Sequence, residues 1–158
     1  MGPLPTRRWD PHRPTAINQP DRAVLYAATT LATAVAEAFQ SLRYIDTVSG
    51  DPWIFTFTPT RPLRLLNIEG SWAVRNGAAA ALAHGDKRIT RAWTREVFVQ
   101  QPGLDGVWAP STLVGETVTL FSDGIAAMPV RAHQSIAADD PAARVVLEEI
   151  ADQIGYRI

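Results

Sequence analysis

The chain has no cysteine among its 158 residues. That excludes a disulfide framework and any thiolate metal site, and it suits a reducing cytosol. Histidine is scarce as well. His12, His84 and His133 lie far apart with no carboxylate at ligand spacing, so no metal is expected. Neither sign of charge dominates: a formal net charge of −1 offers no general attraction to nucleic acid or to an anionic membrane. No apolar run approaches the roughly 18 residues of a membrane span. The opening MGPLPTRRWDPHRP has basic residues with no apolar stretch behind them, so it does not read as a secretory signal. There is no glycine-rich phosphate loop, since Gly85-Asp86-Lys87 lacks the rest of a Walker sequence. Ser71 and Ser111 lack the Gly-x-Ser-x-Gly setting of a nucleophile elbow. The expectation is a soluble, cytoplasmic protein with no direct nucleic-acid or membrane partner.

What is present is ordinary globular composition, 46% hydrophobic and 20% charged. The length allows one domain with a real core. Residues 1–158 are read as that domain, with no repeat or low-complexity tract. Residues 1–22 form an extended proline-rich arm, and residues 139–155 a C-terminal helix. Pro3, Pro5, Pro11, Pro14 and Pro20 oppose regular structure in the arm. Trp9 is costly to leave in water, so Arg8-Trp9-Asp10 should lie on the body.

The rest is organised around Ala23–Gln40, AVLYAATTLATAVAEAFQ. It reads as a strand (Ala23–Ala27), a two-threonine turn, and a helix from Leu31 to about Leu42. Leu31, Ala34, Val35, Ala38, Phe39 and Leu42 share one helical face, leaving Thr33, Glu37 and Gln40 as a narrow polar strip. A carboxylate on so apolar a helix either reaches a solvent gap or lines a site. Tyr26, at the strand end, is the other residue that stands out.

Further strands are expected at Tyr44–Thr47, Trp53–Thr58, Leu63–Leu66, Gly106–Ala109 and Glu116–Phe121, with a mixed, strand-like tail at Ala126–Ala137. Ser71 should cap a helix Trp72–His84 that stops at Gly85. A second helix, Lys87 to about Val99, puts Ile89, Trp93 and Val97 on one face and Arg88, Arg91 and Arg95 opposite. That basic row reads as a solvated face or an anion site. Asp139 and Asp140 cap a last helix, Pro141–Ile154. Ser111 falls just past a strand end, either a turn residue or one facing a cleft. A pyrophosphate-bearing ligand would have to be held by arginines and backbone amides, with Arg7 and Arg8 the first candidates.

Four segments together carry a resemblance: Arg8-Trp9-Asp10-Pro11-His12, Val24-Leu25-Tyr26-Ala27-Ala28, Ala34-Val35-Ala36-Glu37-Ala38-Phe39 and Gly106-Val107-Trp108-Ala109-Pro110-Ser111. In this order they resemble the RES domain, named for a recurring arginine, glutamate and serine, from about Arg8 to Phe121. The resemblance implies a compact α+β domain, with a mixed or antiparallel sheet and flanking helices, similar to the ADP-ribosyltransferase fold. It implies a bacterial toxin of a toxin–antitoxin pair, neutralised by an Xre-type antitoxin, with which it could form an oligomer. It further implies NAD+ as substrate, cut at the nicotinamide–ribose bond by a glycohydrolase or phosphorylase. Transfer of ADP-ribose to a protein target is one alternative, and a non-catalytic domain that only binds its antitoxin is another.

Carried residue by residue, the resemblance makes Glu37 the carboxylate beside the ribose. Tyr26 stacks on or positions the nicotinamide, Ser111 orients the ribose, and Arg8, with Arg7 as the weaker choice, holds the diphosphate. Family members usually carry a further strand and arginine ahead of the Arg-aromatic segment. This chain is expected either to be truncated there or to use another segment in its place.

Overall fold

The computed structural model describes residues 7–15 and 17–158, so expectations for residues 1–6 and 16 lie outside the described residues. The architecture is α+β. Strand β1 (Leu25–Ala28) leads through Thr29-Thr30 into helix α1 (Leu31–Ala38), then β2 (Trp53–Thr56) and β3 (Leu65–Asn67). A one-turn helix α2 (Trp72–Arg75) and a 3-10 turn (Ala80–Ala83) precede the long helix α3 (Lys87–Gln100). Strands β4 (Gly106–Pro110) and β5 (Glu116–Leu120), a short α4 (Ser122–Ala126), β6 (Gln134–Ala137) and helix α5 (Pro141–Ile154) complete the chain.

The main sheet has the order β1-β5-β4-β3, antiparallel except for the parallel β3–β4 pair, while β2 and β6 form a separate antiparallel ribbon. Residues paired across an antiparallel ladder show their side chains on one face. In register, Tyr26 faces Thr119 and Ala28 faces Thr117, with Val107 and Ala109 on the next strand. On its β4 side that face is covered by the first core, where Trp9, Val24, Ala83, Val107, Ala109 and Phe121 pack together. A second core lies between α1, α5 and the β2–β6 ribbon, around Val35, Ile45, Leu147 and Ile150. The end of the main sheet carrying Tyr26, Ala28 and Thr117 lies between the two cores and is left open.

Arg8-Trp9-Asp10 lies on the body, as the tryptophan predicts. Trp9 is only 5% exposed, and Asp10 pairs with His12 Nδ1 beneath the surface. Buried Arg22 donates from Nη1 to the Pro11 carbonyl at 2.8 Å and lies 4.9 Å above the centre of the Phe98 ring.

Several expectations are corrected. Helix α1 stops at Ala38 rather than near Leu42, because the Gln40 amide turns back and donates to the Glu37 carbonyl at 2.9 Å. That occupies the acceptor a further helical turn would use. Leu42 ends up 73% exposed. Within α1, Ala34 and Ala38 are exposed to a cleft, whereas Thr33 is buried, its hydroxyl 2.8 Å from that of the capping Thr30.

The helix expected over Trp72–His84 is broken. Gly77 takes φ +81°, a left-handed conformation that ends α2, and Ser71 makes no side-chain cap. Tyr44–Thr47 forms only one bridge, Tyr44 to Arg157, since the Asp46 carboxylate accepts from the Val48 and Ser49 amides and turns the chain. The strand-like tail is confined to Gln134–Ala137. On α3 the buried line is Thr90, Thr94 and Val97, with the threonine hydroxyls bonded to the Leu82 and Thr90 carbonyls, and Ile89 is exposed. Arg91 and Arg95 are half-buried, and only Arg88 is a solvated, ion-paired residue. No helix among the described residues is long and apolar enough to cross a membrane.

Candidate active site

The open end of the main sheet is a cavity of about 290 Å³, near the lower bound of ligand pockets. Arg7, Arg8 and Trp9 of the arm form one wall, and Tyr26 and Ala28 of β1 form the floor. Ala34, Glu37 and Ala38 of α1 stand opposite, and Pro110 and Thr112 edge the loop after β4. Tyr26, Ala27, Ala28, Ala34 and Ala38 also line a second cavity of about 480 Å³, which continues toward Phe39, Ile54 and Phe57. The two chambers therefore share a wall made of Tyr26 and four alanines. The first is edged with charge; the second is mainly apolar.

Glu37 is half-buried and held through both oxygens. Ser111 Oγ donates to Oε1 at 2.7 Å, and Gln40 Nε2 donates to Oε2 at 3.1 Å. The serine's orientation is itself fixed. Its oxygen accepts from the Leu113 amide at 2.9 Å and the Val114 amide at 3.3 Å, so its one proton is left for Glu37. Both donors to the carboxylate are neutral. Among the described residues no cation lies within ion-pair distance of Glu37.

The loop that carries Ser111 is locked to α1. Ser111 N–H donates to the Gly115 carbonyl at 2.9 Å, and Gly115 has φ +65°. A Cβ built on Gly115 would lie 2.3 Å from the Thr33 hydroxyl, so the loop presses against the helix where only glycine fits.

Tyr26 lines the cavity with 38% of its surface exposed, and the surroundings of its hydroxyl are partly desolvated. That desolvation, reinforced by the charge of Asp10, pushes the phenol well above its ordinary range. The hydroxyl therefore stays protonated and neutral. Arg8 donates from Nη1 to the Gly85 carbonyl, fastening the arm to the turn before α3. Its guanidinium is lowered from the usual value by partial burial, opposed by the nearby charges of Glu37 and Asp86.

Of the residues singled out in the sequence, Arg7, Arg8, Tyr26 and Glu37 meet around one cavity, and Ser111 stands behind Glu37 rather than in the lining. Sequence reasoning missed Gln40 as the second donor to Glu37; its i+3 spacing on a helical turn was the available signal. It also missed Lys87, Thr112 and Thr117, which reach the cavity from distant elements. Among the described residues no group of three His, Asp or Glu side chains could hold a metal ion.

This arrangement can stabilise positive charge at one point and hold an anion on the facing wall. The RES domain model matches residues 2–142, most of the chain. The protein belongs to the RES domain family. No curated protein and no solved structure matches it.

Proposed function

We propose that the protein is an NAD+-consuming toxin that cleaves the nicotinamide–ribose bond. The observation that carries this reading is the setting of Glu37: a carboxylate fixed by two neutral donors, unpaired with any described cation, facing a cavity that Tyr26 and Arg8 also line. Family membership supports the substrate class, since RES domains are associated with enzymatic action on NAD.

When the bond breaks, its electron pair leaves with nicotinamide, which becomes neutral, and positive charge develops on the ribose ring. A preorganised anion beside that ring favours the transition state over the ground state. Glu37 supplies the anion and can accept a ribose hydroxyl. Ser111 and Gln40 hold its two oxygens in place, so no reorganisation is needed as charge appears. In this reading Ser111 is a positioning residue. The neutral ring of Tyr26 offers a flat face for nicotinamide, and Arg8 and Arg7 face the diphosphate as forked donors. Water or phosphate then captures the ribose. The partner the family implies, an Xre-type antitoxin, belongs to the same proposal.

The test is incubation of purified protein with NAD+, with and without phosphate, followed by identification of the products. Free nicotinamide with ADP-ribose, or with its phosphorylated form, is the expected outcome. ADP-ribose found on a protein target with little free product would replace depletion by transfer. The absence of nicotinamide release under all conditions would remove the enzymatic reading.

A further inference from the structure

Arg7 and Arg8 are not alone on their side of the cavity. Lys87, the first residue of α3, lines the same space, reaching it from an element far from the arm in sequence. Three observations bear on what it does there.

Its charge is not spent locally. The adjacent acid, Asp86, is taken up by Arg88, with Oδ2 2.9 Å from Nη2 and Oδ1 accepting the Arg88 backbone amide at 2.7 Å. Lys87 has no ion-pair partner among the described residues. Next, the Arg8 bond to the Gly85 carbonyl ties the arm to a point two residues before Lys87. The two cations therefore approach the cavity together, while Glu37 is the only carboxylate among the described lining residues. Finally, the residue type works against its own helix. The first turn of α3 holds no acid, and a lysine there opposes the helix dipole, which favours negative charge at that end. Helix stability does not account for this choice.

We propose that Lys87 is a binding residue for the diphosphate of the dinucleotide, completing a three-cation site with Arg8 and Arg7; this rests on the NAD+ reading above. The two guanidiniums offer planar forks and Lys87 a mobile point charge, a combination that suits the tetrahedral oxygens of two linked phosphates. A base or sugar without phosphate gains nothing from it.

The experiment uses the full chain and ADP-ribose as probe, titrated calorimetrically against wild type and the variants Lys87→Gln, Lys87→Glu and Lys87→Arg, alongside NAD+ kinetics. Lys87→Gln should weaken ADP-ribose by about tenfold, the size of one lost charge-assisted hydrogen bond, and raise KM for NAD+ with kcat retained. Lys87→Glu should weaken it further while leaving thermal stability equal or higher, which separates lost binding from lost folding. Lys87→Arg should return affinity to within about threefold of wild type, since charge is restored with altered geometry. Equal ADP-ribose affinity in wild type and Lys87→Gln overturns the proposal. Wild type that binds ADP-ribose through Lys87 yet releases no nicotinamide keeps this site and removes the catalytic reading. Wild type that cleaves NAD+ with KM unchanged in Lys87→Gln does the reverse. Failure of wild type to bind ADP-ribose removes this site, and failure to bind it with no release of nicotinamide removes both.

Discussion

Asp105 and Glu37 are both fixed by hydrogen bonds, but by opposite kinds of partner. The Asp105 side chain is 3% exposed, and Arg61 grips its two oxygens at 2.7 and 2.8 Å while the Arg64 amide donates at 2.7 Å. Its charge is cancelled where it stands. Glu37 is held by a hydroxyl and an amide, neither of which cancels anything. The first carboxylate fastens the approach to β3 onto the turn before β4. The second directs its field into the cavity, where Arg8 already feels it without an ion pair. A carboxylate that holds structure together is neutralised by its surroundings; one that is to act on a cation is merely aimed.

The comparison breaks most sharply at Glu37. Glu37→Gln keeps the acceptor for Ser111 but removes the charge, and turnover of NAD+ should fall about a hundredfold to a thousandfold. Its melting temperature should stay close to that of wild type. Loss of folding with turnover would make Glu37 a second Asp105.

Asp105→Ala should do the reverse, lowering stability by about 2–3 kcal/mol. A fully buried pair would lose more, but the Arg61 side chain is 49% exposed and stays solvated when its partner is gone. Urea midpoints measure this, and turnover per folded molecule should be unchanged. The pH dependence follows from the same contacts. The Arg61 hydrogen bonds, helped by the Arg64 amide, hold the Asp105 carboxyl below the usual carboxylate range despite its burial. The unfolded chain therefore binds this proton more readily. The pair's contribution is fully present above the unfolded value, about 4, and is lost as pH falls through the folded value. The alanine variant should show a shallower loss of stability on acidification below about pH 4.

Gly115→Ala sharpens the comparison from the loop side. A side chain there meets the Thr33 hydroxyl and needs a left-handed backbone, so about 1–3 kcal/mol of stability should be lost. The displaced Ser111 should reduce kcat as well. Ser111→Ala is the mildest change. One hydrogen bond to Glu37 disappears, and kcat should fall by about tenfold with KM little altered. A rise in KM with kcat intact would mean instead that Ser111 touches the substrate.

Local signals in the chain carried much of this design. Asp140-Pro141 and the apolar spacing after it define α5 from Pro141 to Ile154, because an N-cap, a first-turn proline and a buried face all agree. The indole of Trp9 predicts that the arm lies down, and the α+β class follows from short strands alternating with helices. Features that depend on competition were not legible. Alanine propensity at Ala78–Ala81 predicts a helix, but Gly77 has already turned the chain. The i+3 spacing lets Gln40 reach Glu37, but nothing local says that this contact will form in place of a further turn of α1. The family resemblance names Glu37 and Ser111 separately, yet their contact joins residues 74 apart in the chain. Lys87 reaches the cavity through the packing of α3 against the arm, which no local pattern encodes.

That long separation has a further consequence for how the protein comes into being. Strand β1 gains its neighbour only when β5 has been made, and Glu37 gains its hydroxyl donor only after the loop beyond β4. Contacts between such distant segments form late, after the cost of closing a large loop has been met. A nascent chain on the ribosome thus carries α1 with its cavity unfinished while the segments from β2 to β4 are made. The cell that makes it is exposed to a completed pocket only near the end of translation.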